Sequence, residues 1–328
     1  MNSFGRIFRI HIFGESHGPS VGVLMDGIFP GIPLTEKDFE KDLLRRKAGS
    51  VGTTSRTESD LPIIKSGVFN GYTTGAPLLI EFENSNIKSS DYQKFIDQPR
   101  PGHADFTARQ KYGGFNDPRG GGHFSGRLTL CLVAAGVLAK KMIPGINIQA
   151  KLIEAGGLSD IEKAIQLAIE KQDSIGGIIE CNVEGLPIGF GEPFFDSLES
   201  QFSHLIFSIP AIKGIEFGSG FLSSKMFGSQ NNDPIINAEG QTLTNHSGGI
   251  HGGISNGNPL NFKIAVKPTS STPQEQSSFN YETQQVEKLK VTGRHDLCLA
   301  LRVPVVVEAA TAIVLADFKI LHLSNRLL

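Results

Sequence analysis

Phe4–Phe13 and Val21–Met25 carry apolar side chains at strand spacing, and the bend Gly14-Glu15-Ser16-His17-Gly18 between them predicts a pair of strands. Further strands are predicted at Pro62–Phe69, Pro77–Phe82, Asn147–Ala155, Ile175–Glu184 and Phe262–Val266, with a Gly-interrupted extended segment at Ile212–Phe221. Helical spacing follows Thr35 as far as Lys47, with Phe39, Leu43 and Leu44 on one face. Ser159 with Glu162 reads as a capping box for a helix to about Lys171, and Phe195–Ile209 contains another. Leu128 to Ala139 is apolar all round, which marks a buried central helix. Pro304 opens a second long apolar helix to about Leu321. Asn84–Gln98 and Thr272–Glu287 are polar and read as irregular, with partial disorder expected in the latter; Ala48–Asp60, with Gly49, Gly52 and Arg56, reads as a mobile loop. No repeat or linker divides the chain, so a single domain over 1–328 is expected.

With 328 residues, 39% of them apolar, the chain can bury a sizeable core. Thirty-one basic residues against 33 acidic ones leave no global basic field for nucleic acid or an anionic membrane. Cys131, Cys181 and Cys298 are far apart and form no CxxC pair, which suits a reducing cytoplasm. Arg6 and Arg9 interrupt the layout of a signal peptide, and the apolar run Val303 to Leu315 contains Glu308 and is too short to span a bilayer. The 38 glycines are not periodic. They gather beside His, Arg and Ser, and that clustering is the main clue to chemistry.

In Gly14–Gly18 a solvated turn His competes with a His projected at a ligand. Arg45-Arg46-Lys47 is either a cationic last turn favoured by the helix dipole or an anion clamp. Arg100-Pro101-Gly102-His103-Ala104-Asp105 holds its His on a constrained backbone. Arg119-Gly120-Gly121-Gly122-His123-Phe124-Ser125-Gly126-Arg127 feeds exposed N–H groups into the start of a buried helix, a ready anion site that is neither a Walker A nor a GxGxxG fingerprint. Lys267-Pro268-Thr269-Ser270-Ser271 offers a lysine and three hydroxyls at a strand end, suited to a phosphate or to a solvated turn. His246 and His251 flank two glycines without a carboxylate or Cys, so no metal site is expected.

Together with Gly252-Gly253-Ile254-Ser255 and Gly293-Arg294-His295-Asp296, these stretches resemble the chorismate synthase family, in family order from residue 14 to 296. The resemblance implies an α+β fold, a single-domain β-α-β sandwich with long central helices between antiparallel sheets, and a homotetramer. It implies loss of phosphate and a C6 hydrogen from 5-enolpyruvylshikimate-3-phosphate to give chorismate, with reduced FMN required and no net redox change. Carried over residue by residue, His17 protonates the leaving phosphate, His103 supplies a proton beside the flavin, Asp296 assists proton removal near flavin N5, and Ser16 and Ser125 orient these groups. The flavin contacts implied are His123, Phe124, Ser125, Pro210, Ala211, Gly252, Lys267, Pro268, Thr269, Ser270, Ser271 and Arg294. The cations implied for the substrate are Arg45, Arg46, Arg119, Arg127 and Arg302.

The sequence departs from the family pattern at several positions. His123 stands for an Arg, Leu128 for a Glu, Pro210 for an Asn and Phe227 for an Arg, and an Arg assigned to nicotinamide contact is missing around Gly52. A monofunctional enzyme is therefore expected, with NADPH acting only through a separate flavin reductase. A hydrolase using Ser16 and His17, a flavin oxidoreductase and a non-catalytic glycine-rich binding module are the competing readings; adjacent residues seldom place a Ser hydroxyl on the neighbouring imidazole.

Overall fold

A computed structural model describes residues 2–56, 58–86, 89–293 and 295–325. Two antiparallel sheets enclose a helical layer. The first has five strands in the order Ser3–Phe4, Arg9–Gly14, Ser20–Asp26, Leu78–Glu83 and Ile63–Ser66. The second has four, Ile212–Phe217, Leu260–Val266, Gly177–Glu184 and Asn147–Ala155. Between them the helices Thr129–Met142 and Pro304–Asn325 pack on each other, the first also against Ser20–Asp26 and the second against Asn147–Ala155. They meet so closely at Gly136 that a Cβ there would lie 2.3 Å from the Ala309 Cβ, so only glycine fits the crossing. Both helices are buried nearly all round, and one apolar core runs from Phe8 to Phe318 through both sheets. The antiparallel sheets around central helices are the α+β arrangement expected from the resemblance.

Burial alternates cleanly along Leu260–Val266, whose inward residues Leu260, Phe262, Ile264 and Val266 fill the core. The bend at Gly14–Gly18 joins Arg9–Gly14 to Ser20–Asp26 in register, Phe13 facing Gly22. Several expectations need correction. Phe4–Phe13 is not one strand: Gly5 has a positive φ of 97°, and Ser3–Phe4 folds back on Arg9–Gly14. The helix Ile161–Lys171 is capped by Asp160, which accepts from the Lys163 N–H at 3.0 Å, and not by Ser159. Thr272–Glu287 is ordered into the hairpin Glu275–Asn280 with Gln285–Lys290. Asn84–Gln98 holds a 3-10 segment, Ser89–Phe95, and a helix Asp105–Tyr112 follows the Arg100–Asp105 motif. Arg119–Met142 is long and apolar enough by composition for a membrane span, yet its body is buried between the sheets and its start is a glycine-bent 3-10 segment.

Candidate functional site

Gly120, Gly121 and Gly122 all have positive φ: the first two coil left-handed and Gly122, at ψ −127°, takes a backbone that glycine alone adopts readily, before the buried helix begins. This coil lies on the Gly14–Gly18 bend, with the Ser16 N–H donating to the Gly122 carbonyl at 3.1 Å. Asn84 Nδ2 staples the bend by donating to the carbonyls of Glu15 and Gly18. The pentapeptide carries the letters G-x-S-x-G, but strands lie on both sides of it, and Ser16 Oγ accepts from Arg56 Nη1 at 3.1 Å. It is not a nucleophile elbow, which needs a strand-to-helix turn and a base on the hydroxyl.

His17 is buried, only 4% exposed, with its ring edge-to-face on Tyr92 at 5.0 Å. A Cβ on Gly120 would lie 2.2 Å from His17 Nδ1, so the missing side chain makes room for the imidazole. That Nδ1 is buried and has no protein partner. Burial, with the positive charges of Arg56 and Arg119, lowers the His17 pKa to about 4, against a smaller opposing effect of Asp117 and Glu58.

Around His103 the chain closes on Asp105. Its carboxylate accepts from the Arg100 backbone N–H at 3.1 Å, from Arg100 Nε at 2.8 Å and from Nη2 at 2.8 Å, and lies 2.6 Å from His103 Nδ1. Burial alone would raise the Asp105 pKa; the hydrogen bonds from Arg100 and His103 outweigh it and hold the carboxyl well below the usual range. Arg100 also lies over the Phe95 ring at 4.5 Å and donates to Ser271 Oγ at 3.0 Å. The Lys267–Ser271 strand end is tied to the same loop, because Lys267 Nζ and Ser270 Oγ both donate to the Gly102 carbonyl. Burial and the nearby Lys213 push the Lys267 pKa down. Thr269 Oγ1 is buried and unpartnered. Ala211, before the strand that carries Lys213, is held at φ +75°, a left-handed backbone unusual for alanine.

On the opposite wall stand Arg46, Arg127 and Arg302. Arg46 is buried and donates to Thr129 Oγ1 at 3.0 Å and to the carbonyls of Gly126 and Arg127. Arg127 pairs with Asp60, whose other oxygen lies 3.6 Å from Arg46. Arg302 donates to Asp296 and to the Arg46 carbonyl, while the Thr54 N–H donates to Asp296 Oδ1 at 2.8 Å. Burial, then the neighbouring Arg302 and Arg127 charges, lower the Arg46 pKa to about 9 in spite of Asp60.

These walls enclose a cavity of about 740 Å³. Of the residues expected from sequence, it gathers Arg46, His103, His123, Phe124, Ser125, Arg127, Pro210, Ala211, Lys267 to Ser271, Asp296 and Arg302. Ser16 and His17 sit immediately behind Gly120, which lines it. Three expected residues lie elsewhere. Arg45 turns to Glu308, at 2.6 and 2.7 Å; Arg119 is an exposed partner of Asp117; Gly252 is in the turn between Ile250–His251 and Ile254–Ser255. Arg294 lies outside the described residues. His123 is fixed by contacts to the Gly14 carbonyl at 2.8 Å and to Asn2 at 3.1 Å.

Sequence reasoning missed Arg56, Arg100 and Lys213 as site residues. Arg56 and Arg100 stood in stretches already singled out, whereas Lys213 carried no signal. Among the described residues, eight Lys and Arg but only three Asp and Glu line the cavity, in a chain with 31 basic and 33 acidic residues. Such a concave, cation-rich lining suits anionic groups. No cluster of metal ligands occurs among the described residues.

The family model described as chorismate synthase matches residues 8–320. A chorismate synthase of Chitinophaga pinensis is 64% identical over 328 residues, 99% of each chain. One from Dehalococcoides mccartyi is 45% identical, covering 96% of each chain, and one from Pyrococcus abyssi is 42% identical, covering 95% of this chain and 96% of the other. A crystal structure of a chorismate synthase superposes with a TM-score of 0.73 at 26% identity, over 96% of this chain and 92% of that one.

Proposed function

The chain belongs to the chorismate synthase family, and on that premise we propose that its cavity binds 5-enolpyruvylshikimate-3-phosphate beside reduced FMN and eliminates phosphate to form chorismate. The observation that carries this reading is the cavity's charge, eight Lys and Arg to three Asp and Glu, against a substrate with two carboxylates and a phosphate. In the reaction the C–O bond to phosphate and the C6–H bond break, and the electron pairs redistribute into the ring diene. Arg46, Arg56, Arg127 and Arg302 hold the substrate's anionic groups, the planar guanidinium suiting both carboxylate and phosphate.

His17 is neutral in the empty site at pH 7, because burial and the charges of Arg56 and Arg119 depress it. A phosphate dianion arriving beside those cations cancels their field and draws a proton onto His17, which then protonates the leaving group. Asp296, fixed by Thr54 and Arg302, assists removal of the C6 proton, and His103 exchanges a proton beside the flavin. Ser16 and Ser125 orient these groups, Ser125 also capping the turn into the helix through its contact with the Arg127 N–H.

For the flavin, Thr269 Oγ1 is a buried polar atom with no protein partner, and Lys213 and Lys267 have no carboxylate partner among the described residues. Such groups fit an anionic, hydrogen-bonding guest. Lys267 to Ser271, Pro210, Ala211, Phe124, Ser125 and His123 hold it. When bound, reduced FMN supplies the transient electron that lets phosphate depart with no net redox change.

The chain works as one domain in a cytoplasmic homotetramer. The apolar core shared by both sheets supports the first point, and the exposed Phe194, Phe195, Phe221 and Phe227 support burial against further copies. Reduction is left to a separate flavin reductase. Gly52 has φ +89°, a strained backbone for any L-residue, and a Cβ there would lie 3.1 Å from Ile165 and 3.2 Å from Leu301, which disfavours an arginine at this place. Anaerobic incubation with enolpyruvyl substrate and dithionite-reduced FMN should give chorismate absorbance; NADPH with FMN alone should not. No turnover with reduced FMN would refute the activity, and sustained turnover with NADPH alone would refute the need for a reductase.

A further inference from the structure

The ring of His103 stands between two cavities. It lines the large cavity and also a second one, of about 180 Å³, whose wall continues through Asp105, Arg109, Asn116 and Asp117. A ring that borders space in this way is oriented most strongly by its shortest directional bond. That bond is to Asp105, whose Oδ1 lies 2.6 Å from His103 Nδ1. At this distance a bare ring lone pair and a carboxylate lone pair would repel, so a proton lies between them. Arg100 Nη2, 3.1 Å from the same nitrogen, is then a neighbour and not a donor to it; its hydrogen bond goes to the same Asp105 oxygen. Asp105 cannot follow the imidazole if it turns, because both oxygens and the backbone of Arg100 are already bonded together.

We propose that Asp105 is the positioning residue of the site: it fixes His103 as the Nδ1–H tautomer and leaves Nε2, at the ring edge beside Gly121, as the atom that exchanges a proton. A Cβ on Gly121 would stand 3.4 Å from that Nε2, an ordinary contact, and Gly121 lines the smaller of the two cavities. The Nδ1 proton stays in place throughout; the proton gained and lost is the one on Nε2, and the fixed carboxylate stabilises the imidazolium formed between. The inference rests on the reading of His103 as the proton-exchanging group beside the flavin.

The test has two parts. In the wild-type full chain labelled with ¹⁵N-histidine, with the His103 signals assigned by their loss in His103→Gln, His103 should show a protonated Nδ1 and a bare Nε2 above pH 8. The opposite tautomer overturns the proposal, whether or not any Asp105 variant folds. Asp105→Asn can donate from its amide to Nδ1 and so should reverse the tautomer, lowering kcat by roughly 10²-fold with little change in KM. Asp105→Glu, which keeps a carboxylate, should recover part of that loss. Equal kcat in wild type and Asp105→Asn, or a loss carried by KM alone, overturns the assignment. Failure of the wild type to turn over with reduced FMN would strike the functional reading instead, and the tautomer measurement would still decide the role of Asp105.

Discussion

Gly120→Ala puts a methyl group where the structure has an imidazole. The new Cβ would lie 2.2 Å from His17 Nδ1, 2.3 Å from its Cε1 and 2.8 Å from Ser16 Oγ, on a backbone at φ +60°. Two costs follow. Holding an L-residue left-handed costs roughly 1–2 kcal/mol. Overpacking a buried site adds about 1–3 kcal/mol, since His17 is confined by Tyr92 and cannot shift freely. The neighbouring Gly121→Ala isolates the first cost, because its φ is +83° but its Cβ would meet His103 at an ordinary 3.4 Å. Urea unfolding of both variants without ligand should therefore place Gly120→Ala about 1–3 kcal/mol below Gly121→Ala. If His17 escapes by swinging away, the stability difference shrinks, but turnover with reduced FMN then falls by ~10²-fold or more. Equal stability of the two variants together with near-wild-type turnover in Gly120→Ala would refute the packing of His17 beneath the glycine coil.

His17 has a folded pKa near 4 against 6.5 unfolded, so the unfolded state binds the extra proton first; stability should be full above pH 6.5 and fall as the pH drops through 6.5 toward 4, and His17→Asn should flatten that part of the urea-midpoint profile. Arg127→Met strands Asp60 in a buried place with, among the described residues, only Arg46 at 3.6 Å as a charged partner, so it should cost about 3–5 kcal/mol in chemical unfolding, and Asp60→Asn in the same chain should return part of it; a single-variant loss under 1 kcal/mol would contradict the buried pair. Lys267→Ala should weaken FMN binding by roughly 10- to 100-fold, the size of a lost charge-assisted contact, and affect substrate less, as read by calorimetry with each ligand. Arg45→Ala should lower the unfolding midpoint while leaving the substrate KM unchanged, because Arg45 bonds Glu308 and not the cavity.

The strands of the core were legible because a one-sided or fully buried strand must be apolar at the buried positions, as Leu260–Val266 is. The hairpin Glu275–Asn280 with Gln285–Lys290 was not legible. Burial alternates along Glu275–Asn280, but the half-buried positions are Gln276, Ser278 and Asn280, and Leu289 is the one fully buried apolar residue of the hairpin, so the alternation carries no hydrophobic signal. The helix Asp105–Tyr112 escaped for the same reason, Ala108 being its one buried residue. The histidines and glycines of the site stood out because left-handed backbone and a titratable ring in one short stretch are a local property. Lys213 did not, since it becomes part of the site only where the strand Ile212–Phe217 runs beside Lys267.

The arginine pair Arg45-Arg46 shows most plainly where local reading stops. Both lie in the helix Glu40–Arg46, and adjacent residues on a helix point about 100° apart. The two side chains therefore diverge, and the pattern of charges along the chain does not say which of them faces the cavity. The choice is made across the helical layer. Glu308, buried on Pro304–Asn325, already has Lys140 at 3.3 Å and accepts the Ala150 N–H at 3.1 Å, and it takes Arg45 as a bidentate partner. With Arg45 held there, Arg46 is turned onto the turn that starts the other central helix, with its head against Gly126, Arg127 and Thr129. Glu308 thus takes Arg45 away from the site, while Arg46 is held in it by bonds of its own to Thr129, Gly126 and Arg127. Glu308→Gln, which keeps the shape and removes the charge, should loosen Arg45 without moving Arg46, so unfolding stability should fall while substrate affinity holds; a parallel loss of affinity would mean that the orientation of Arg46 also depends on Glu308.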